Sequence, residues 1–296
     1  MIGAVALAGC ATTNPASSGP DKTSSSSGGA IVVGSANFPE DEILAQIYTQ
    51  ALQQNGVKAS IKPNIGARPV YIKALQDGSI DLVPEYTGNL LQYFDSKATA
   101  AAPADVYAEL SDNLPKGFEV LPYSSAQDKD SYNVTKTFSQ KWGVTSLSDL
   151  KKVTTPLTVA ANPEFQTRPY GIPGLQSDYG VKATLLPIND SGGPNTVKAL
   201  QDGTVQLADI YSTTPAIKQD GFVTLSDPKN LILAQNVVPL INSNKASDKV
   251  KSVLNTISKA LTTDDLIAMN TKSSGSAKES AQQIAQEWLA QENLFK

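Results

Sequence analysis

KALQDGSIDLVPEYTG at 73–88 and KALQDGTVQLADIYST at 198–213 are the two stretches on which the fold turns. Lys73 to Gly78 recurs without change as Lys198 to Gly203. Ser79-Ile80-Asp81-Leu82 then runs in register with Thr204-Val205-Gln206-Leu207, and Tyr86-Thr87 with Tyr211-Ser212. Each copy reads as a helix stopped by glycine, a strand, and a tyrosine followed by a hydroxyl residue at the strand's carboxyl end. Two copies roughly 125 residues apart predict two similar α/β lobes. Ligands of open α/β sheets sit outside the carboxyl ends of the strands. Two such ends facing each other would enclose a cleft walled by Tyr86 and Tyr211, in a body that closes by hinge motion on a small molecule.

The flanking patterns agree with an open, largely parallel sheet covered by helices. Ile31 to Gly34 reads as a buried strand, and Glu40 to Asn55 as a helix with Ile43, Leu44, Ile47, Ala51 and Leu52 on one face. Pro39 and the acidic run Glu40, Asp41, Glu42 suit that helix's first turn, and Gly56 its stop. Ala59 to Ile65 and Ile80 to Val83 read as strands, with a helix over Val70 to Asp77 between them. The second unit shows strand patterns at 157–161, 183–186, 206–210 and 222–225, with helices over 175–179 and 197–201. Val237 to Ile241 opens a helical tail, in which Ser276 with Glu279 and Thr262 with Asp265 predict capping boxes. Tyr48, Tyr71 and Tyr93 lie on helical patterns and read as packing residues; Tyr107 falls on a helix face covering the first lobe.

Composition removes whole classes of chemistry. The chain has 296 residues, 40% hydrophobic and 18% charged, with a formal net charge of −4 and no basic run, so a nucleic-acid partner is not expected. Histidine is absent, which excludes Ser-His-Asp and Cys-His arrangements and histidine metal ligands. The single cysteine, Cys10, excludes disulfides within the chain and cysteine-rich metal sites. No catalytic residue, metal or cofactor is expected, and no Walker motif occurs, so any ATPase must be another chain.

Leu7-Ala8-Gly9-Cys10 resembles the lipobox of a bacterial lipoprotein, in which the Cys thiol is acylated. Residues 1–10 therefore read as a partial lipoprotein signal. No Lys or Arg precedes the apolar run, so the expectation is a start that is truncated or lies upstream. Residues 11–30 are nearly all Ser, Thr, Gly, Pro, Ala or Asn and read as a flexible tether. Anchor, tether and domain together predict an extracytoplasmic protein held by lipid at the outer face of a bacterial membrane.

The residues VGSANFPEDEILAQIYTQAL at 33–52, GSIDLVPEYTGNL at 78–90 and PEFQTRPYGIPGLQSDYG at 163–180 resemble the substrate-binding proteins of ABC importers for osmoprotectants such as glycine betaine, choline and carnitine. The family pattern Gly-Ser-x-x-Phe-x-Glu meets Gly34, Ser35, Phe38 and Glu40, and Pro-Glu-Tyr-Thr-Gly meets Pro84 to Gly88. The later Phe-x-x-Arg, Gly-Leu and Tyr-Gly meet Phe165, Arg168, Gly174, Leu175, Tyr179 and Gly180. The likeness covers about residues 31–295. It implies a periplasmic-binding-protein type II fold: two α/β lobes, a hinge and an interlobe ligand cleft. Lobe one would be 31–122 plus 237–296 and lobe two 125–232, with hinge segments near 122–132 and 225–237.

A quaternary ammonium cannot donate a hydrogen bond, so aromatic faces must hold it, at about 0.5–2 kcal/mol each. The resemblance and the repeat together point to Tyr86, and the resemblance adds Asn89, Asp130, Tyr132, Arg168 and Tyr211. Arg168 matches the family's carboxylate clamp, for which a planar guanidinium is suited. Relatives commonly carry Lys where this chain has Ala36, Asp-Gly where it has Tyr170-Gly171, and a late aromatic near 233–236 where it has none. Tyr170 is thus a candidate substitute ring, and a broader or less cationic ligand stays open. The partners implied are a small solute, permease subunits with a separate ATPase, and the membrane through the lipid anchor. Other readings are a binding protein for an amino acid, polyol or aromatic compound, a surface sensor, and an enzyme using Glu85 and Asp130.

Overall fold

The computed structural model describes residues 29–295; Cys10 and most of the 11–30 stretch lie outside them. The chain begins with β1 (Ile31–Gly34), α1 (Pro39–Gln54), β2 (Ala59–Lys62), α2 (Arg68–Gln76), β3 (Leu82–Tyr86), α3 (Thr87–Phe94), α4 (Pro103–Asn113) and β4 (Phe118–Val120). It crosses to a second sheet and builds β5 (Tyr132–Val134), α5 (Lys136–Trp142), β6 (Thr158–Ala161), α6 (Ile172–Tyr179), β7 (Thr184–Pro187), α7 (Pro194–Gln201), β8 (Leu207–Asp209), α8 (Ala216–Gln219) and β9 (Val223–Thr224). It then returns through β10 (Val237–Asn242) and finishes with α9 (Asp248–Ala260), α10 (Thr263–Ser274) and α11 (Ala281–Glu292).

The two sheets share one plan. Lobe one runs β2-β1-β3-β10-β4 and lobe two runs β7-β6-β8-β5-β9. In each, three strands are parallel and the last two are antiparallel to their neighbours. Strand alternation divides the core into layers. Leu82, Val237 and Ile241 face α1, α9, α10 and α11, while Val83, Val238 and Leu240 face α2, α3 and α4. In lobe two, Val159, Ala161 and Leu207 pack toward α6, and Ala160 and Ala208 toward α7.

The repeated hexapeptide folds identically in both places. Asp77 N–H donates to Lys73 O at 2.9 Å and Asp202 N–H to Lys198 O at 2.9 Å, while Ile80 N–H reaches Ala74 O and Val205 N–H reaches Ala199 O, each at 3.2 Å. Gly78 and Gly203 sit at φ +76° and +73°, the left-handed region that glycine enters without steric cost. Because Ile80 is spent on this helix stop, β3 starts at Leu82 rather than Ile80 and delivers Tyr86 as its last residue. The strand expected over 59–65 ends at Lys62: Pro63 lacks an N–H, and Asn64 is at φ +53°.

Thr262 and Asp265 form their capping box, but Ser276 and Glu279 do not. Lys278 sits at φ +46° in a turn after α10, and the box that opens α11 is Ser280 with Gln283. The two crossings lie side by side. Ser124 N–H donates to Val237 O at 2.8 Å, Val237 N–H to Ala126 O at 3.0 Å and Asp128 N–H to Gln235 O at 3.1 Å, an antiparallel ribbon joining the lobes.

Candidate functional site

The carboxyl ends of β1 and β3 in lobe one meet those of β6 and β8 in lobe two around a small cavity of about 50 Å³. Phe38, which precedes α1, presents its ring to both sides. Its centroid is 6.1 Å from Tyr86 at the end of β3 and 5.7 Å, edge-on, from Tyr211 just beyond β8. Tyr71 on α2 adds a fourth ring to the lining. Three rings thus come from lobe one and one from lobe two.

The hydroxyls of Tyr71 and Tyr86 are each held by a buried carboxylate, Glu85 and Glu40 respectively. Tyr86 Oη donates to Glu40 Oε1 at 2.7 Å. Glu40 also accepts from Thr213 Oγ1 of lobe two at 2.7 Å and from Asn270 Nδ2 of α10 at 2.6 Å, so one carboxylate ties the cage to a contact between the lobes. Burial raises the Glu40 pKa, and the three donors only partly offset it. Asp128 on the first crossing accepts from Thr213 N–H at 3.0 Å; burial, then the Glu40 charge, pushes it well above the usual carboxylate range.

Asp130 stands at the same crossing, 4% exposed and lining the cavity. Its Oδ2 accepts from Asn89 Nδ2 at 2.6 Å, while its buried Oδ1 makes no hydrogen bond among the described residues. Asn89 is itself saturated: Gln235 Nε2 donates to its Oδ1 at 2.7 Å, and its N–H donates to Gln235 Oε1 at 2.9 Å. Asn89 therefore positions Asp130 more than it offers groups of its own. Behind Asp130, Asp209 is raised well above the carboxylate range by burial and then by the Asp130 charge.

Two guanidinium groups close the other side. Arg68, the first residue of α2, grips both oxygens of Glu85, at 2.8 and 2.9 Å. Arg168 Nη1 donates to Tyr170 Oη at 2.8 Å and stands 3.9 Å from Asp130 Oδ1. Burial works against both guanidinium charges; Glu85 beside Arg68, and Tyr170 then Asp130 beside Arg168, outweigh it, and both pKa values move up. Beyond the pair, Arg68, Asn89 and Arg168 also line an outer chamber of about 260 Å³ with Gln92, Glu164 and Tyr170.

Of the residues singled out in the sequence, Tyr86, Asn89, Asp130, Arg168 and Tyr211 line the inner cavity. Tyr132 does not. It is 1% exposed in the core of lobe two, its ring 5.5 Å from Phe165 and its hydroxyl donating to Tyr170 O at 3.0 Å. Tyr170 sits behind Arg168 and faces the outer chamber. Tyr71, read as a packing residue, lines the inner cavity and donates its hydroxyl to Glu85 at 2.8 Å. Arg168 pairs with Asp130 rather than with the neighbouring Glu164. The residues that sequence reasoning passed over are Phe38, Arg68, Tyr71 and Glu40. The Gly34–Glu40 motif carried the signal for two of them. Among the described residues, no cluster of His, Cys, Asp and Glu is arranged to hold a metal, and no helix is long and apolar enough to cross a membrane.

Chemically, the site combines ring faces for a cation, two guanidinium groups for an anion, and a carboxylate oxygen that accepts no hydrogen bond among the described residues. It has both poles of a zwitterion. The sequence matches the substrate binding domain family of ABC-type glycine betaine transport systems over residues 29–291. The glycine betaine-binding protein YehZ of Escherichia coli is 29% identical over 214 residues, 68% of this chain and 70% of its own length. A glycine-betaine-binding protein of Pseudomonas aeruginosa is 25% identical over 222 residues, covering 71% and 70%. The solved structure of a glycine betaine/carnitine/choline ABC transporter protein superposes with a TM-score of 0.71 over 90% of this chain and 100% of that one; at 19% identity the likeness is one of fold.

Proposed function

The chain belongs to the family of substrate-binding domains of ABC-type glycine betaine transport systems, and we propose that it captures a quaternary-ammonium osmoprotectant such as glycine betaine, choline or carnitine in the cleft among Phe38, Tyr71, Tyr86 and Tyr211. The family consists of extracytoplasmic solute-binding proteins, not enzymes. In this reading lobe one spans 31–122 and 237–296, lobe two spans 125–232, and the crossing segments act as the hinge. Closure brings both lobe tips together for a permease powered by a separate ATPase. Acylation at Cys10 would hold the protein at the outer face of the membrane, with 11–30 as its leash.

The observation that carries the reading is the ring of Phe38 standing between Tyr86 and Tyr211, at 6.1 and 5.7 Å, with the rings drawn from both lobes. A methylated ammonium offers no N–H, so its attraction comes from ring faces that close around it, and a cage split between lobes couples that attraction to closure. Tyr86 and Asp130 are the ligand contacts best supported by geometry; Asn89 supports Asp130, and Tyr132 and Tyr170 stiffen the wall behind Arg168.

The test is calorimetric titration of the chain with glycine betaine, choline, carnitine, proline and a polyol. A quaternary ammonium compound should bind tightest, and Tyr86→Ala should weaken it at least about tenfold, the equivalent of about 1.4 kcal/mol. Binding that survives both Tyr86→Ala and Tyr211→Ala undiminished removes the cage.

A further inference from the structure

We infer that Arg68 is a solute-binding residue that grips a ligand carboxylate from lobe one, opposite Arg168 in lobe two, and so sets a preference for carboxylate-bearing quaternary ammonium compounds over choline. This rests on the reading of the cleft given above and deepens it.

Geometry is the first support. The Arg68 side chain is held from behind: Nε and Nη2 are spent on Glu85, whose Oε1 also accepts from Tyr71 Oη and whose Oε2 accepts from Tyr86 N–H at 3.0 Å. Among the described residues Nη1 makes no hydrogen bond, and the side chain lines both the inner cavity and the outer chamber, as Arg168 does. A guanidinium locked on one edge with donors free on the other is already organised for an anion, and binding then costs little further ordering. Ala36 lines the same cavity with a methyl group that donates nothing, so Arg68 is the lobe-one cation of this wall.

The internal repeat is the second support, and it is independent. The counterparts of Arg68 and Glu85 in the second copy are Gly193 and Ile210. Ile210 is fully buried in an equally well-formed unit, so the helix–strand scaffold has no need of an ion pair at these positions. A buried ion pair is weak evidence for stability, because desolvation offsets its attraction. The first copy carries a charge pair that the fold does not require, and the free face of that pair looks into the cleft. Arg168 faces it with its own carboxylate partner, Asp130, 3.9 Å away. A ligand carboxylate between the two guanidinium groups relieves their repulsion, while choline, with a hydroxyl there, does not.

The experiment is titration of glycine betaine and choline against the wild type, the charge-neutral pair Arg68→Gln with Glu85→Gln, and the single Arg68→Lys. The paired variant keeps two hydrogen-bonding side chains in place of the ion pair, and Arg68→Lys keeps a cation beside Glu85 should the pair fold poorly. Both should lose glycine betaine affinity at least about tenfold and about threefold respectively, with choline changed by less than about twofold. Equal losses for the two solutes make Arg68 a structural wall and overturn the inference, as does no loss at all. A wild type that binds neither solute overturns the cage reading itself, a distinguishable failure that takes the carboxylate grip with it.

Discussion

In the first copy of the repeat, β3 pairs with β10 through five residues, Leu82 to Tyr86, and runs directly into α3. In the second, β8 pairs with β5 only where Tyr132 and Asn133 meet Asp209 and Ala208, and the chain turns before the short helix α8. Helices α9, α10 and α11 enlarge the layer that α1 begins on one face of the first sheet. One supersecondary unit has therefore been used in two ways. Lobe one is the platform, with its rings fixed at the ends of long buried elements. Lobe two reaches in from turns, with Tyr211, Thr213 and Arg168, where side chains can be re-aimed without disturbing a ladder.

The largest effect expected from breaking this asymmetry is at Gly88, whose counterpart is Thr213. A Cβ at Gly88 would stand 2.6 Å from Ala234 O and 2.7 Å from Leu233 Cβ on the return crossing. Gly88→Ala should cost about 2–3 kcal/mol, read as a lowered urea midpoint. Thr213→Ala, which loses the hydroxyl shared with Glu40 and Asn270, should cost only about 1 kcal/mol. Equal losses would mean the two ends are equally constrained.

An intermediate effect is expected from acid. Asp128 and Asp209 hold their protons above the ordinary value of 3.8, chiefly through burial, and Glu40 above 4.5. Groups whose folded pKa is raised stabilise the protein below the unfolded value and lose that contribution as pH rises through the folded one. The melting temperature should therefore be higher near about pH 5 than near about pH 8, and Asp128→Asn, which keeps an oxygen for Thr213, should narrow the difference. An unchanged gap would show that Asp128 does not hold the proton. The smallest effect tests where the copies agree. Gly78→Ala and Gly203→Ala should each cost about 1 kcal/mol and match one another, since among the described residues a Cβ at either site would meet no packing neighbour within 4 Å and only the positive φ is at issue. Unequal costs would show that one copy is strained by its lobe.

What could be read from the sequence was what local chemistry decides. The glycine stops, the alternating strands and the Thr262–Asp265 box depend on residues a few places apart, and their elements formed close to where the patterns lay. Tyr86 and Tyr211 were legible because a repeat carries its geometry with it. The Ser276–Glu279 box failed because Ser280 and Gln283 offer a competing box and the chain needs a turn first, with Lys278 left-handed. Arg68 was hidden for a different reason. Its meaning depends on Glu85, which is 17 residues on and reached through a strand, and on a cavity that exists only once both lobes are built. Tyr132 was named by the resemblance, which does not specify which side of a strand end faces the cavity; its ring packs in the core of lobe two.

One feature of the first sheet bears on how the protein comes into being. Strand β10 lies between β3 and β4, and among the described residues β4 has no other neighbour. A chain made from its amino end can assemble β1, β2 and β3, but β4 must wait until residue 242 has emerged, after the whole of the other lobe. Completion of the first sheet is thereby deferred by connectivity alone until the return strand is made, while the second sheet, closed within 132–224, has no such delay.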